Sequence, residues 1–278
     1  MRPPAVSLAR LVALVALCPG VTHAVPATRP ATRPATLPAE VRVRQVKRDT
    51  VAGGDHWRVT TTRGVVHVWR PPGYRRKGAG IVLYVHGYHT NADQSWSGHR
   101  LADQFRESRQ NALFLAVDGP TGREDKVRFP DLGRMLRVVS QATKIALPRG
   151  HVVAIGHSGA FRTLVEWMGY RWLDHLILLD ALYANENLFE AWMTTVEKWS
   201  WHRMVLVGND TRAKCEAFLK TLKAGVKRKK IPTDYSELTR RERGARLLYL
   251  DSQYEHTQIV SSGKVIPLLL RLSRLKRL

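Results

Sequence analysis

From about Val41 onward, short apolar runs alternate with longer amphipathic stretches. Residues 81–85, 112–117, 151–155, 176–179, 204–207 and 247–250 are nearly continuous in Val, Ile, Leu and Ala. Runs of that length without polar alternation fit parallel strands covered on both faces. Between them, residues 94–109, 131–144, 159–168, 187–199 and 211–224 carry the wider spacing of helices, and 266–275 closes the chain as a last helix. Residues 57–62 and 65–69 meet at Arg63-Gly64, which predicts an antiparallel hairpin that starts the sheet. The alternation predicts an α/β fold: a mostly parallel central sheet flanked by helices on both faces, in a single domain over residues 41–278.

The N-terminal region has a different character. Arg2 and Arg10 precede or flank a short apolar run over residues 11–18, and Thr22-His23-Ala24 places small residues where a signal peptidase cuts. The run is too short to span a bilayer. Leu17 before Cys18 is too large for a lipoprotein signal. Residues 1–24 therefore read as a cleaved export signal, and the protein is expected in the periplasm, the cell envelope or the medium. Residues 27–38 repeat Ala-Thr-Arg-Pro and drift into Ala-Thr-Leu-Pro, a period of four that buries no apolar face, so residues 25–40 are expected to be an extended linker. Two Cys rule out a disulfide-stapled scaffold and a Cys-based zinc ribbon, and once the signal is removed Cys215 is the only thiol, which excludes an intramolecular disulfide.

Chemistry concentrates in His151-Val-Val-Ala-Ile-Gly156-His157-Ser158-Gly159-Ala160-Phe161, an apolar strand that ends in Gly-x-Ser-x-Ala and runs straight into a helix. A serine on so tight a strand-to-helix turn stands above the sheet, and the small residues two positions to either side let the backbone fold sharply. Helix N-terminal N–H groups beside it favour developing negative charge. A Ser before a helix can be a simple cap, but strand, turn and helix together make Ser158 a candidate nucleophile.

With these residues in place, the chain from about Trp57 onward resembles the α/β-hydrolase superfamily. The strand 81–85 leads into His86-Gly87-Tyr88-His89-Thr90, similar to that family's His-Gly turn. By that resemblance the Tyr88 and Gly159 backbone N–H groups would form an oxyanion hole. The resemblance implies a catalytic His in the loop after the last strand, and His256 in Asp251-Ser-Gln-Tyr-Glu-His256 stands there. His157 lies beside the nucleophile, where the turn aims its ring elsewhere. His86 and His89 lack acidic partners at ligand spacing, so no metal is expected, and the implied chemistry needs no cofactor.

Two acids compete to orient His256. Asp210 in Gly-Asn-Asp-Thr after the strand 204–207 sits at the family's commoner acid position, though such residues also cap helices. Asp180 ends the apolar run 176–179 and should lie half buried at the sheet's rim, where an unpaired carboxylate is costly and a partner such as His256 is wanted. Asp180 is preferred and Asp210 stays open. The departures from the family pattern are Ala160 where Gly is usual, tolerable at a small-residue position, and the Tyr88-His89-Thr90 that follows His86-Gly87, which carries no substrate signal. The spacing after Asp180 leaves room for a helix or two but no large lid domain, and the apolar face of 187–199 reads as core.

Charge adds a last element. The chain has 45 Lys and Arg against 23 Asp and Glu, a net charge of +22 that stays near +20 without the signal. Basic runs lie at 223–230, at Arg240, Arg241, Arg243 and Arg246, and at Arg271, Arg274, Lys276 and Arg277. The expectation is an exported serine hydrolase acting on a small-molecule or lipid-like carboxylic ester, less readily on an amide, with electrostatic docking on an anionic envelope surface. No specific nucleic-acid recognition is expected. The alternative is an idle hydrolase-like domain whose basic surface binds an anionic envelope polymer or nucleic acid.

Overall fold

A computed structural model describes residues 40–195, 202–222 and 225–278. The expected signal and nearly all of the linker lie outside these residues, as do the end of the helix expected over 187–199 and the first two positions of the basic run at 223–230. The residues from Glu40 to Leu278 form one compact unit.

Its centre is a sheet of β1 (Val43–Val51), β2 (Gly54–Thr61), β3 (Gly64–Arg70), β4 (Gly80–Val85), β5 (Ala112–Val117), β6 (Val152–His157), β7 (Leu173–Leu179), β8 (Arg203–Gly208), β9 (Val226–Arg228) and β10 (Leu247–Asp251). The order across it is β1-β2-β3-β5-β4-β6-β7-β8-β10-β9. β1, β2 and β3 pair antiparallel with their neighbours, and every pairing from β5 to β9 is parallel. The hairpin at Arg63-Gly64 is present, but β1 precedes it and takes the sheet's edge, so the hairpin does not start the sheet. β1 escaped the apolar reading because eight of its nine positions are exposed.

The continuous apolar strands serve two cores by strict alternation, since successive side chains point to opposite faces. Leu83, Ala154, Leu178 and Leu206 face one core with helices α3 (Leu132–Thr143), α4 (Phe161–Trp167), α5 (Glu186–Thr194) and α6 (Arg212–Thr221). Tyr84, Ile155, Ile177 and Val207 face the other with α1 (Ala92–Gly98), α2 (Leu101–Ser108), α8 (Gln258–Ser261) and α9 (Val265–Leu270). The short α7 (Arg240–Gly244) starts in a capping box, with Thr239 accepting from the Glu242 amide. The single helix expected over 94–109 is two helices, because Arg100 between them takes a left-handed conformation at φ 50°. No helix among the described residues is long and apolar enough to cross a membrane.

Candidate active site

All of the parallel strands point their C-terminal ends one way, and the candidate residues gather there. Ser158 follows β6 directly, at φ 54°, a region that non-glycine residues rarely occupy and that persists only where surrounding structure enforces it. Here the enforcement comes from a 3-10 turn over Ser158–Ala160 that feeds α4. The small neighbours are required by packing: a Cβ on Gly156 would lie 2.7 Å from Leu164 Cδ1 and 3.1 Å from the Ala160 Cβ. Ala160, the departure noted above, is fully buried in that contact.

The His-Gly turn after β4 closes on the same spot. A Cβ on Gly87 would stand 2.8 Å from Ser158 Cβ, so only glycine lets the turn approach this near. A Cβ on Gly159 would stand 2.5 Å from Tyr88 Cδ1 and 2.6 Å from its Cζ, so the Tyr88 ring lies directly on Gly159. The two segments that carry the Tyr88 and Gly159 amides are thus in contact beside Ser158. His86 is spent on holding the turn: its Nδ1–H donates to the Gly87 carbonyl at 2.7 Å, and its Nε2 accepts from the Gly119 amide at 2.9 Å. That leaves no ring nitrogen for a metal.

His256 sits in the loop after β10, and its Nδ1–H donates to Asp180 Oδ2 at 2.6 Å. The carboxylate of Asp180 is fully buried and Asp180 is itself left-handed at φ 47°, which turns its side chain under the start of α6. There Oδ1 accepts from the Asn209 amide at 2.9 Å, the Thr211 amide at 2.9 Å and the Thr211 hydroxyl at 2.7 Å, and Oδ2 also accepts from the Asp210 amide at 3.1 Å. Burial alone would raise the Asp180 pKa, but the hydrogen bonds from His256, Thr211 and Asn209 outweigh it and hold the carboxyl well below the usual range. The bond to Asp180 raises the pKa of His256, against the opposing effect of burial.

Asp210 is placed differently. Its carboxylate is 56% exposed and its Oδ2 lies 3.6 Å from His256 Nδ1, beyond hydrogen-bond reach. Its backbone amide bonds Asp180 directly, and its charge adds a smaller contribution to the raised pKa of His256. Asp180, Asp210 and His256 each offer an atom within 4.8 Å of the others, a possible cation-holding group. Five donors already occupy the Asp180 oxygens, one of them His256 Nδ1, so the arrangement fits an oriented imidazole better than a metal centre.

His157 is not aimed at Ser158. Its Nε2–H donates to the backbone carbonyl of His256 at 3.1 Å, and burial together with the neighbouring imidazole pushes its pKa down to about 3. It ties the His256 loop to the Ser158 turn, a contact that the chain's pattern gave no sign of. Ser158 and His256 both line a cavity of about 740 Å3 with Tyr88, Gly159, Phe161 and Tyr183. No hydrogen bond joins the Ser158 hydroxyl to His256 among the described residues; such bonds often tighten only when substrate binds. Another hollow of about 710 Å3, near Arg76 and Arg149, opens at the N-terminal ends of β4 and β6 and holds no nucleophile or acid. Cys215, the lone thiol of the folded unit, is buried, and burial pushes its pKa up to about 12, which disfavours the reactive thiolate.

No family model matches the chain, and no curated protein matches it. Solved structures do. An S-formylglutathione hydrolase from Agrobacterium tumefaciens superimposes with a TM-score of 0.50 at 13% identity, over 84% of this chain and 100% of that one. The feruloyl esterase module from Clostridium thermocellum gives a TM-score of 0.50 at 14% identity, over 84% of this chain and 89% of that one. At such identities the likeness is one of fold, and the fold is that of the α/β-hydrolases.

Proposed function

We propose that this protein is an exported serine hydrolase that cleaves carboxylic esters through an acyl-Ser158 intermediate. The observation that carries the reading is the 2.6 Å bond between buried Asp180 and His256, on the wall of the cavity that Ser158 shares. With Nδ1–H committed to Asp180, neutral His256 keeps its lone pair on Nε2, the nitrogen available to the cavity. A serine hydroxyl needs such a base to become nucleophilic near neutral pH.

In the proposed cycle Ser158 Oγ attacks the ester carbonyl while its proton passes to His256 Nε2. The carbonyl oxygen becomes an oxyanion held by the Tyr88 and Gly159 amides. Each such donor typically contributes about 3 kcal/mol to the transition state. His256 then gives the proton to the departing alkoxide as the C–O bond breaks, leaving the acyl-serine and an alcohol. Water repeats the sequence: His256 takes its proton, hydroxide adds to the acyl carbon, and Ser158 leaves with the proton returned. Asp180 stabilises the imidazolium in both halves without taking a proton itself. The neighbours' activities, an S-formylglutathione hydrolase and a feruloyl esterase, support ester-type substrates. Export rests on the sequence of residues 1–24, and docking on an anionic envelope surface rests on the basic runs.

The test is labelling of residues 25–278 by an alkyl fluorophosphonate, read by intact mass. A single adduct is expected on the parent and none on Ser158→Ala or His256→Ala. A folded parent that takes no label rules the reading out.

A further inference from the structure

The side chains that line the cavity around Ser158 carry positive charge only, the half-exposed Asp210 carboxylate standing behind them 3.6 Å from His256 Nδ1. The lining includes Arg123 and the imidazoles of His89, His99, His157 and His256, and no carboxylate. Asp180 lies fully buried, with both oxygens occupied by the His256 bond and by donors from residues 209–211, just before α6. Burial lowers the pKa of His99, and burial with its imidazole neighbour takes His157 down to about 3, so both are neutral in the folded protein near pH 7. Arg123 is then the fixed cation of this wall among the described residues.

Its surroundings hold the backbone and leave the head group open. Thr121 O accepts from the His89 amide at 2.9 Å, and Asp125 Oδ2 takes the Thr121 amide at 2.8 Å and the Thr121 hydroxyl at 2.5 Å. From α4, Arg162 donates to the carbonyls of Gly122 at 3.1 Å, Arg123 at 2.6 Å and Asp125 at 2.6 Å. Asp125 is therefore turned into its own loop, and exposed Glu124, next to Arg123 in sequence, forms no ion pair with that arginine among the described residues. Arg162 adds a second positive charge that carbonyl dipoles, not a carboxylate, receive. The Arg123 guanidinium itself makes no hydrogen bond or ion pair among the described residues. A loop fastened at three places that presents an unmatched guanidinium beside a nucleophile is an arrangement for taking an oxyanion, since that planar fork matches carboxylate and phosphate oxygens in pairs.

We infer that Arg123 is the anion-recognition point of this cavity, and that the ester turned over carries a carboxylate or phosphate group on the part that reaches it. The inference rests on the reading of Ser158 as nucleophile and narrows its substrate class from esters in general to anionic esters. The same contact gives His89 and Thr90 on the facing turn a role in shaping that end of the cavity rather than in chemistry.

The experiment compares kcat/KM for two matched pairs. One pair places the charge on the acyl side, 4-nitrophenyl hemiglutarate against 4-nitrophenyl valerate; the other places it on the alcohol side, 3-butyryloxybenzoate against its methyl ester. The expected result is a preference of about tenfold or more for the anionic member of one pair, which also tells which side of the ester faces Arg123; tenfold corresponds to about 1.4 kcal/mol, the scale of one charge-assisted bond at a partly open site. In Arg123→Gln that ratio falls toward one, and in Arg123→Glu it inverts. The protein's overall charge favours anions anywhere on its surface, so Arg240→Gln on α7 removes the same charge outside the cavity and is expected to keep the ratio. Turnover of the neutral esters with no preference for either anionic one overturns the proposal alone, as does a ratio that Arg123→Gln leaves unchanged or that Arg240→Gln lowers equally. A protein that hydrolyses none of the four and takes no fluorophosphonate loses the Ser158 reading, and the proposal falls with it.

Discussion

Replacing Asp180 by Asn separates the two acids that contend for His256. The substitution keeps size and shape but puts an NH2 where one carboxylate oxygen stood. At the Oδ1 position that group would oppose three donors, from Asn209 and Thr211; at Oδ2 it opposes the Asp210 amide and His256 Nδ1. The second choice is the less costly, because His256 can shift its proton to Nε2 and accept from the new amide. That shift removes the Nε2 lone pair on which the proposed mechanism depends, so the base is lost while the fold survives. The wrong tautomer in a serine–histidine–acid system costs about 10^4 in rate, which is roughly 5.5 kcal/mol of barrier. One charge-assisted bond and one opposed amide should also cost about 2–4 kcal/mol of stability, or roughly 5–15 °C in Tm for a domain of this size. The measurements are kcat/KM on a chromogenic ester and thermal unfolding, with Asp210→Asn in parallel. That variant leaves the Asp210 backbone amide in place and removes only a half-exposed charge 3.6 Å from the ring, so kcat/KM should fall less than about threefold. If Asp210→Asn carries the large loss and Asp180→Asn the small one, the assignment is wrong.

The bond to Asp180 raises the His256 pKa, so kcat/KM should climb with pH through a value above that of a free imidazole. Asp210→Asn should move this limb to lower pH, since the Asp210 charge contributes to the same rise; a parent limb below the free value contradicts the pairing. The lowered pKa of Asp180 means that its contribution to stability is present above the ordinary carboxylate range and fades as pH falls through the folded value. The Tm gap between parent and Asp180→Asn should therefore narrow in strong acid, and a constant gap refutes the linkage. Gly87→Ala and Gly159→Ala each force a methyl into a neighbour under 3 Å away, and each should slow fluorophosphonate labelling by about a hundredfold or more through the displaced amides. Retention on anionic vesicles should drop steeply as salt rises past a few tens of millimolar, because exposed cations are screened over about 10 Å at 0.1 M; retention indifferent to salt counts against docking.

Much of the sheet was legible because its parallel strands are covered on both faces and so need no polar positions. The parts that were not legible lack that cause. β1 is an exposed edge strand, and β9 is a three-residue edge strand, Val-Lys-Arg, with two adjacent cations, so neither carries an apolar run. The break at Arg100 does have a local signal, Gly98 at the end of α1, but one glycine inside an amphipathic stretch is weak evidence against the periodicity on either side. Arg123 likewise sits in Thr121-Gly-Arg-Glu-Asp125, which reads as an ordinary solvated loop until the anchors from Arg162 and His89 are seen in three dimensions.

The choice between Asp180 and Asp210 illustrates where local pattern stops. Each residue follows an apolar strand and each has a respectable structural role, so the distinction lies in partners 29 to 31 residues away for the amides just before α6 and 76 residues away for His256. Those partners make the two acids cooperate instead of compete. The turn that exposes the Asp210 side chain is the one that aims its amide at Asp180, and it does so because Asp180 bends left-handed at the end of β7 to meet it. An acid held by five donors at zero exposure has little freedom to reorient, whereas one at 56% exposure is free to follow solvent. Orienting an imidazole through repeated proton transfers asks for the first kind of carboxylate, since a partner that relaxes with each change of charge would let the ring turn away from Ser158.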